Sequence, residues 1–402
     1  MSMNPQTLKP KFHLKAVTAL AVCLGGSLAV APSAHAESYA AFVKSLWDNA
    51  KAQGIKRSTF DAATRGLVAD KRIDRLTKNQ PEFARPIGRY ITKRQQGPRV
   101  SPGLKLLPSL KGTMAGLDRR FGVDPTVVVA IWGMETVYGN YKGKSDIFQT
   151  LSTLAWKRYR GTFFKKEFIA AMKLMEVEGF GRGQFKGSWT GAIGQTQFLP
   201  TSYLEHAVDG DGDGRRDLWG SRPDALWSAA NYLKNKGWVR GQPWGFPVRL
   251  PKGLTPHAST RPWQEWARAG VKPINGLTFP KSGTATLFFP AGVEGPAFLV
   301  TKNYSVIRSY NFADAYAVSV GLISDRFKGA PKLNLKWPEI TPLLKSERIR
   351  MQKALEKKGY RVPNKIGRIS HTMRMVIRDF QLEHGMVPDG HPDQAVLRRV
   401  LR

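Results

Sequence analysis

Up to about residue 240 the apolar positions recur at helical intervals. The stretches SYAAFVKSLWDNAKAQG (38–54), DPTVVVAIWGMETVYGNY (124–141), KKEFIAAMKLMEVEG (165–179) and DALWSAANYLKNKG (224–237) carry this spacing, and the last two end at glycine. Asp124 followed by Pro125 reads as an N-cap with proline at the first helical position. From about 245 to 305 the texture changes to PVRLP, TATLFF and PAFLVTKNYSVI, short strands set apart by Gly and Pro. Helix returns at FADAYAVSVGLISDRF. The segment KGAPKLNLKWPEITP then reads as a linker. Beyond it, MQKALEKKGY and FQLEHGM form a weak repeat, each placing Gln after an apolar residue and ending in Gly plus an apolar residue. The pattern predicts an α+β, mainly helical body with a small β insertion, followed by a small helical unit.

The first 36 residues stand apart. Lys9, Lys11 and Lys15 precede the apolar run AVTALAVCLGGSLAV, and APSAHA ends it with an A-x-A cleavage pattern after Ala36. This is a signal peptide, and its run is too short for a comfortable membrane span; no later stretch is long and apolar enough for one. Cys23, the only cysteine, lies inside the signal, so the mature chain holds no disulfide. Lipidation at Cys23 ranks second, because Val22 stands where lipoprotein signals carry a small residue. The expected location is the periplasm.

The formal charge is +33 over 402 residues. It favours an acidic polymer, anionic lipid or nucleic acid as partner. Export and the dispersal of Lys and Arg along the chain argue against nucleic acid, which leaves an anionic cell-wall matrix as the simplest fit. The competing reading is that the charge only keeps the protein soluble.

One acid sits oddly. Glu135 lies in the apolar run with Val128, Ile131, Trp132 and Tyr138 at three, four or seven residues, so a continuous helix points it toward the core. Burial disfavours the ionised form, which is useful where a protonated acid is needed. A structural glutamate with an Arg or capping partner is the competing reading. Downstream, GSWTGAIGQTQFLPTSY (187–203) sets close glycines beside Gln197 and Phe198, a combination that suits a backbone approaching a sugar and an amide and aromatics contacting it.

Together, E-T-V-Y-G at 135–139 and this glycine-rich stretch resemble the membrane-bound type B lytic murein transglycosylases, a glycoside hydrolase family 103-like group. The resemblance continues through DIFQTLSTLAW, DGDGRRDLW and VIRSYN over roughly residues 40–330. It implies a lysozyme-like core that cleaves the β-1,4 bond between N-acetylmuramic acid and N-acetylglucosamine in peptidoglycan. Ordinary glycosidases need two carboxylates. Here the motifs offer one, which suffices if the sugar's own C6 hydroxyl is the nucleophile, giving a 1,6-anhydro end. By the resemblance Ser188 and Gln197 contact substrate. Phe198, Tyr203, Tyr232, Tyr310, Asn311 and Tyr316 are further candidates, with Tyr310 facing the acid. Glu176 and Glu178 are rival acids more suited to capping or solvated roles. A hydrolytic muramidase and a non-catalytic wall-binding protein are the alternatives. The last sixty residues resemble the type 1 peptidoglycan-binding domain, a three-helix bundle. The expected organisation is a signal at 1–36, a catalytic domain at 37–334, a linker at 335–342 and the binding domain at 343–402, in a monomer.

DGDGDGRRDLWGSRPD places Asp209, Asp211, Asp213, the carbonyl of Arg215 and Asp217 at positions one, three, five, seven and nine of an EF-hand loop, with Gly214 at six. Gly220 stands at position twelve. Asp224, at sixteen, matches the late closing Asp that the family resemblance implies. The chemistry needs no cofactor, and a structural calcium ion is expected at this loop. The competing reading is an acidic turn relieved by Arg215 and Arg216.

Overall fold

A computed structural model describes residues 37–78, 86–96 and 99–402; the expected signal segment, with Cys23, lies outside the described residues. The predicted helices form at Tyr39–Ala52, Pro125–Thr136, Phe163–Glu178 and Arg222–Asn235. Asp124 accepts from the Thr126 amide at 3.0 Å with Pro125 at the first helical position, so the cap legible in the sequence is the cap that forms. Ser221 caps the last of the four in the same way, through the Asp224 amide.

The β insertion is a five-stranded antiparallel sheet in the order β4 (Thr260–Pro262), β6 (Thr284–Phe288), β7 (Ala297–Val300), β3 (Gly245–Arg249), β5 (Lys272–Pro273). A separate pair joins β1 (Ser145–Asp146), the next element after the acid's helix, to β2 (Lys186–Gly187). One expectation fails. PAFLVTKNYSVI is a strand only as far as Val300, because Thr301 accepts from the Asn303 amide and starts a helix at Lys302–Asn311. A helix at Asp314–Phe327 follows, the two joined through Phe312 at φ +60°.

Among the described residues three apolar clusters carry the packing: the helical body, the sheet with Trp263 and Trp266, and the C-terminal helices. Those helices run Lys345–Lys357, His371–Glu383 and Gln394–Leu401. The weak repeat has a structural meaning. Gln352 is buried, donates to Arg368 O and accepts from the Gly367 amide, both at 2.8 Å; Gln381 does the same with Asp389 Oδ1 and the Gly390 amide. Each glutamine thus satisfies a loop that closes over its own helix.

Residues 331–342 lack regular structure, as a linker should, yet they are fastened down. Trp337 stacks on Phe298 at 6.3 Å, and Arg89 pairs with Glu339 at 2.9 Å. Residues 39–402 accordingly make one compact unit. No helix among the described residues is long and apolar enough to cross a membrane.

Candidate active site

The helix that carries Glu135 is buried all round from Val127 to Met134, so its spacing could not assign a face. It also ends sooner than a continuous run predicts. Val137 and Tyr138 take left-handed conformations at φ +52° and +60°, costly for such residues, and Gly139 follows at +84°. Glu135 therefore emerges half-buried in the last turn instead of pointing into the core. Tyr138 lies beyond the helix and packs edge-on against Trp132 at 5.3 Å.

Gln195, which the sequence did not single out, holds this turn. Its side-chain oxygen accepts from Trp132 Nε1 at 3.1 Å, and its carbonyl accepts from Thr136 Oγ1 at 2.5 Å. The same hydroxyl accepts from the Gly139 amide at 2.9 Å. A Cβ on Gly139 would lie 2.6 Å from Gln195 Oε1, so glycine is required there by both space and φ.

The phenol on the acid belongs to Tyr316, not Tyr310. Tyr316 Oη donates to Glu135 Oε1 at 2.6 Å, whereas Tyr310 Oη donates to Thr196 O at 2.9 Å. The two rings are stacked, 6.3 Å apart and 10° from parallel, and Tyr310 packs in turn on Tyr232 and Phe198 at 5.0 and 6.0 Å. Burial first, and then the charge of Glu135, push both phenols far above the usual tyrosine range. They stay protonated donors. Phe198, Tyr203 and Tyr232 are interior residues: Tyr203 donates to Arg216 O and Tyr232 to Ser309 O, so all three back the site and form no exposed sugar platform. Asn311 is half-exposed at the end of its helix.

Gln195, Thr196 and Gln197 meet three different elements in succession: Thr136, Tyr310, and the Lys142 carbonyl, which accepts from Gln197 Nε2 at 3.1 Å. This puts Gln197, itself at φ +53°, against the loop that follows the acid's helix. Ser188 Oγ accepts from the Ala192 amide at 3.0 Å and keeps a half-buried position. The neighbouring glycines serve packing more than ligand approach. A Cβ on Gly187 would lie 2.2 Å from Ala192 O, and one on Gly194 2.7 Å from Leu218 O.

The rival acids are engaged elsewhere. Glu176 accepts from the Lys56 amide at 2.7 Å, and Glu178, nearly buried, pairs with Arg216. That pair also takes Arg216 away from the aspartate loop. Asp209, Asp211 and Asp213 offer oxygens within 4.8 Å of one another. Asp209 is shaped by amides of Gly212 and Gly214 at 2.6 and 2.8 Å. Asp217 instead accepts from the Trp219 and Gly220 amides, and fully buried Asp224 accepts from Gly210 and Asp217, each at 2.7 Å. Three of the five expected carboxylate ligands thus converge. Asp217 and Asp224 stand outside that group and brace the loop. An all-oxygen carboxylate set of this kind suits a hard cation such as calcium.

A family model described as the transglycosylase SLT domain matches residues 38–325, and one for a putative peptidoglycan binding domain matches 345–400. The chain belongs to the SLT transglycosylase family. Among its relatives is SltB3 from Pseudomonas aeruginosa, solved in complex with NAG-anhNAM-pentapeptide: it is 40% identical with a TM-score of 0.78, over 91% of this chain and 100% of that one. Slt35 from Escherichia coli, solved with calcium, is 25% identical with a TM-score of 0.60, over 71% and 92%. Membrane-bound lytic murein transglycosylase B from Escherichia coli (strain K12) is 33% identical over 206 residues, which is half of this chain and 56% of that relative's length.

Proposed function

We propose that this protein is a periplasmic lytic transglycosylase that cleaves the β-1,4 bond between N-acetylmuramic acid and N-acetylglucosamine in peptidoglycan. The observation that carries the reading is Glu135, half-buried and held by the Tyr316 phenol at 2.6 Å beside the Gln195–Gln197 wall. Glu135 gives its proton to the bridging oxygen as the bond to C1 breaks. The C6 hydroxyl of the same muramoyl residue then attacks C1, and the Glu135 carboxylate takes the hydroxyl proton. The acid returns to its starting state, the ring closes to a 1,6-anhydro end, and no water is consumed. Gln197 and Ser188 act as substrate contacts. The ligand in the SltB3 complex, an anhydro-muramoyl species, supports this direction.

Asp209, Asp211 and Asp213 would hold a calcium ion in a structural role, stiffening the loop that leads to Leu218 and Trp219 behind Gln195. The C-terminal helices would engage peptidoglycan as well. Mass spectrometry of peptidoglycan digested with the mature protein tests the central claim. Fragments one water lighter than hydrolysis products, absent with Glu135→Gln, are expected. Reducing-end products would replace the reading with a muramidase.

A further inference from the structure

Tyr316 is two residues from Asp314, and Asp314 is where the C-terminal helical unit grips the catalytic body. Its carboxylate is nearly sealed. Oδ1 accepts from Arg308 Nε at 2.7 Å and from Tyr304 Oη at 2.9 Å, while Oδ2 accepts from Arg374 Nη2 at 2.8 Å. Arg308 belongs to the helix that carries Tyr310, Asp314 opens the helix that carries Tyr316, and Arg374 comes from the C-terminal helix His371–Glu383. One nearly sealed carboxylate therefore ties together the two helices of the tyrosine pair and the appended unit.

The grip has further points. Arg374 also donates to Phe289 O and Gly390 O and lies over the Phe288 ring at 4.7 Å; Arg308 donates to Ile369 O. Arg368 lies over Phe312, at the left-handed turn between the two helices, at 4.0 Å. The turn that sets Tyr310 against Tyr316 is thus held from outside the catalytic body.

We propose that Arg374 is a positioning residue for the catalytic acid, acting through Asp314 on Tyr316 and hence on the Glu135 carboxyl group; this rests on the reading of Glu135 as the acid. The C-terminal unit then contributes to turnover itself, over and above any tethering to the wall. A tether raises effective concentration only when a substrate spans both sites. A positioning contact acts on any substrate, because small displacements of a catalytic group cost rate.

The test is steady-state kinetics of the full mature chain on a soluble NAG-NAM tetrasaccharide, too short to need anchoring, with wild type, Arg374→Met, Arg374→Lys, Tyr316→Phe and the Arg374→Met/Tyr316→Phe double variant. Asp314 keeps Arg308 as partner in the Met variant, and Arg374→Lys retains the charge should that variant fold poorly. A fall in kcat of roughly tenfold is expected for Arg374→Met, with KM within about twofold, partial recovery in Arg374→Lys, and little further loss from Arg374→Met once Tyr316 is Phe. Unchanged kcat, an effect confined to KM, or full additivity in the double variant would overturn the proposal. Wild-type turnover without anhydro products would instead strike at the function assigned to Glu135, so the two failures are separate.

Discussion

Asp314 lies sealed between Arg308 and Arg374, whereas Asp209, Asp211 and Asp213 crowd within 4.8 Å of one another near the surface. Burial alone would raise the Asp314 carboxyl, but the two guanidinium groups hold it far below the usual carboxylate range. Among the described residues no cation forms an ion pair with Asp209, Asp211 or Asp213, and Arg216 is committed to Glu178. The difference teaches where the chain keeps its own counter-charge. It does so where solvent is largely excluded and the contact joins two units, and it supplies none at the exposed cluster.

Removing charge should therefore destabilise at the first place and not at the second. Asp314→Asn leaves the buried Arg374 and the largely covered Arg308 guanidinium groups facing each other and should cost about 3–5 kcal/mol in denaturant unfolding. Asp213→Asn, measured without calcium, should leave the midpoint unchanged or raise it as repulsion falls. Equal destabilisation by both would dissolve the contrast. Next in size is calcium itself. At about a hundredfold excess over its Kd, a ligand specific to the native state adds about 2.7 kcal/mol. The melting temperature should rise with calcium, fall with chelator, and lose that response in Asp211→Asn while keeping it in Arg374→Lys.

These contrasts also bear on what the sequence made legible. The Asp124–Pro125 cap, the four helices and the paired glutamines of the C-terminal unit were readable because each depends on neighbours in the chain or on its own period. Glu135 was findable as an acid in an apolar run. Its half-exposure was not, because the helix ends at the strained Val137, and β-branched residues give no signal for a left-handed turn. Tyr310 and Tyr316 were both visible. Which one meets the acid depends on the break at Phe312 and on Asp314's grip, a tertiary fact. Gln195 lies in the motif beside Gln197, and two glutamines two residues apart look alike until Trp132 and Thr136 are seen to bond one of them. The Pro- and Lys-bearing segment before the C-terminal unit shows its irregularity in its sequence, but Trp337 stacking on Phe298 requires the fold.

The smallest effect expected concerns His391, which borders the same interface. Its amide donates to Asp389 Oδ1 at 2.8 Å, its ring approaches Gly292 of the β insertion, and Arg374 and Asp314 are the charges that act on it. Burial, and then Arg374, bring its pKa down to about 3. Between pH 6.5 and 3 the unfolded chain binds a proton that the native chain refuses, so stability falls as pH falls through that window. Asp325, pushed up to about 6 by burial, works in the opposite direction over part of the same range, because there the native state holds the extra proton. The contribution of His391 must therefore be read as a difference. Relative to His391→Asn, wild type should lose about 1 kcal/mol between pH 7.5 and pH 5.5 in denaturant unfolding. A difference that stays flat across that range would mean the histidine takes up its proton in the native state, and that this side of the interface is open to water in a way Asp314 is not.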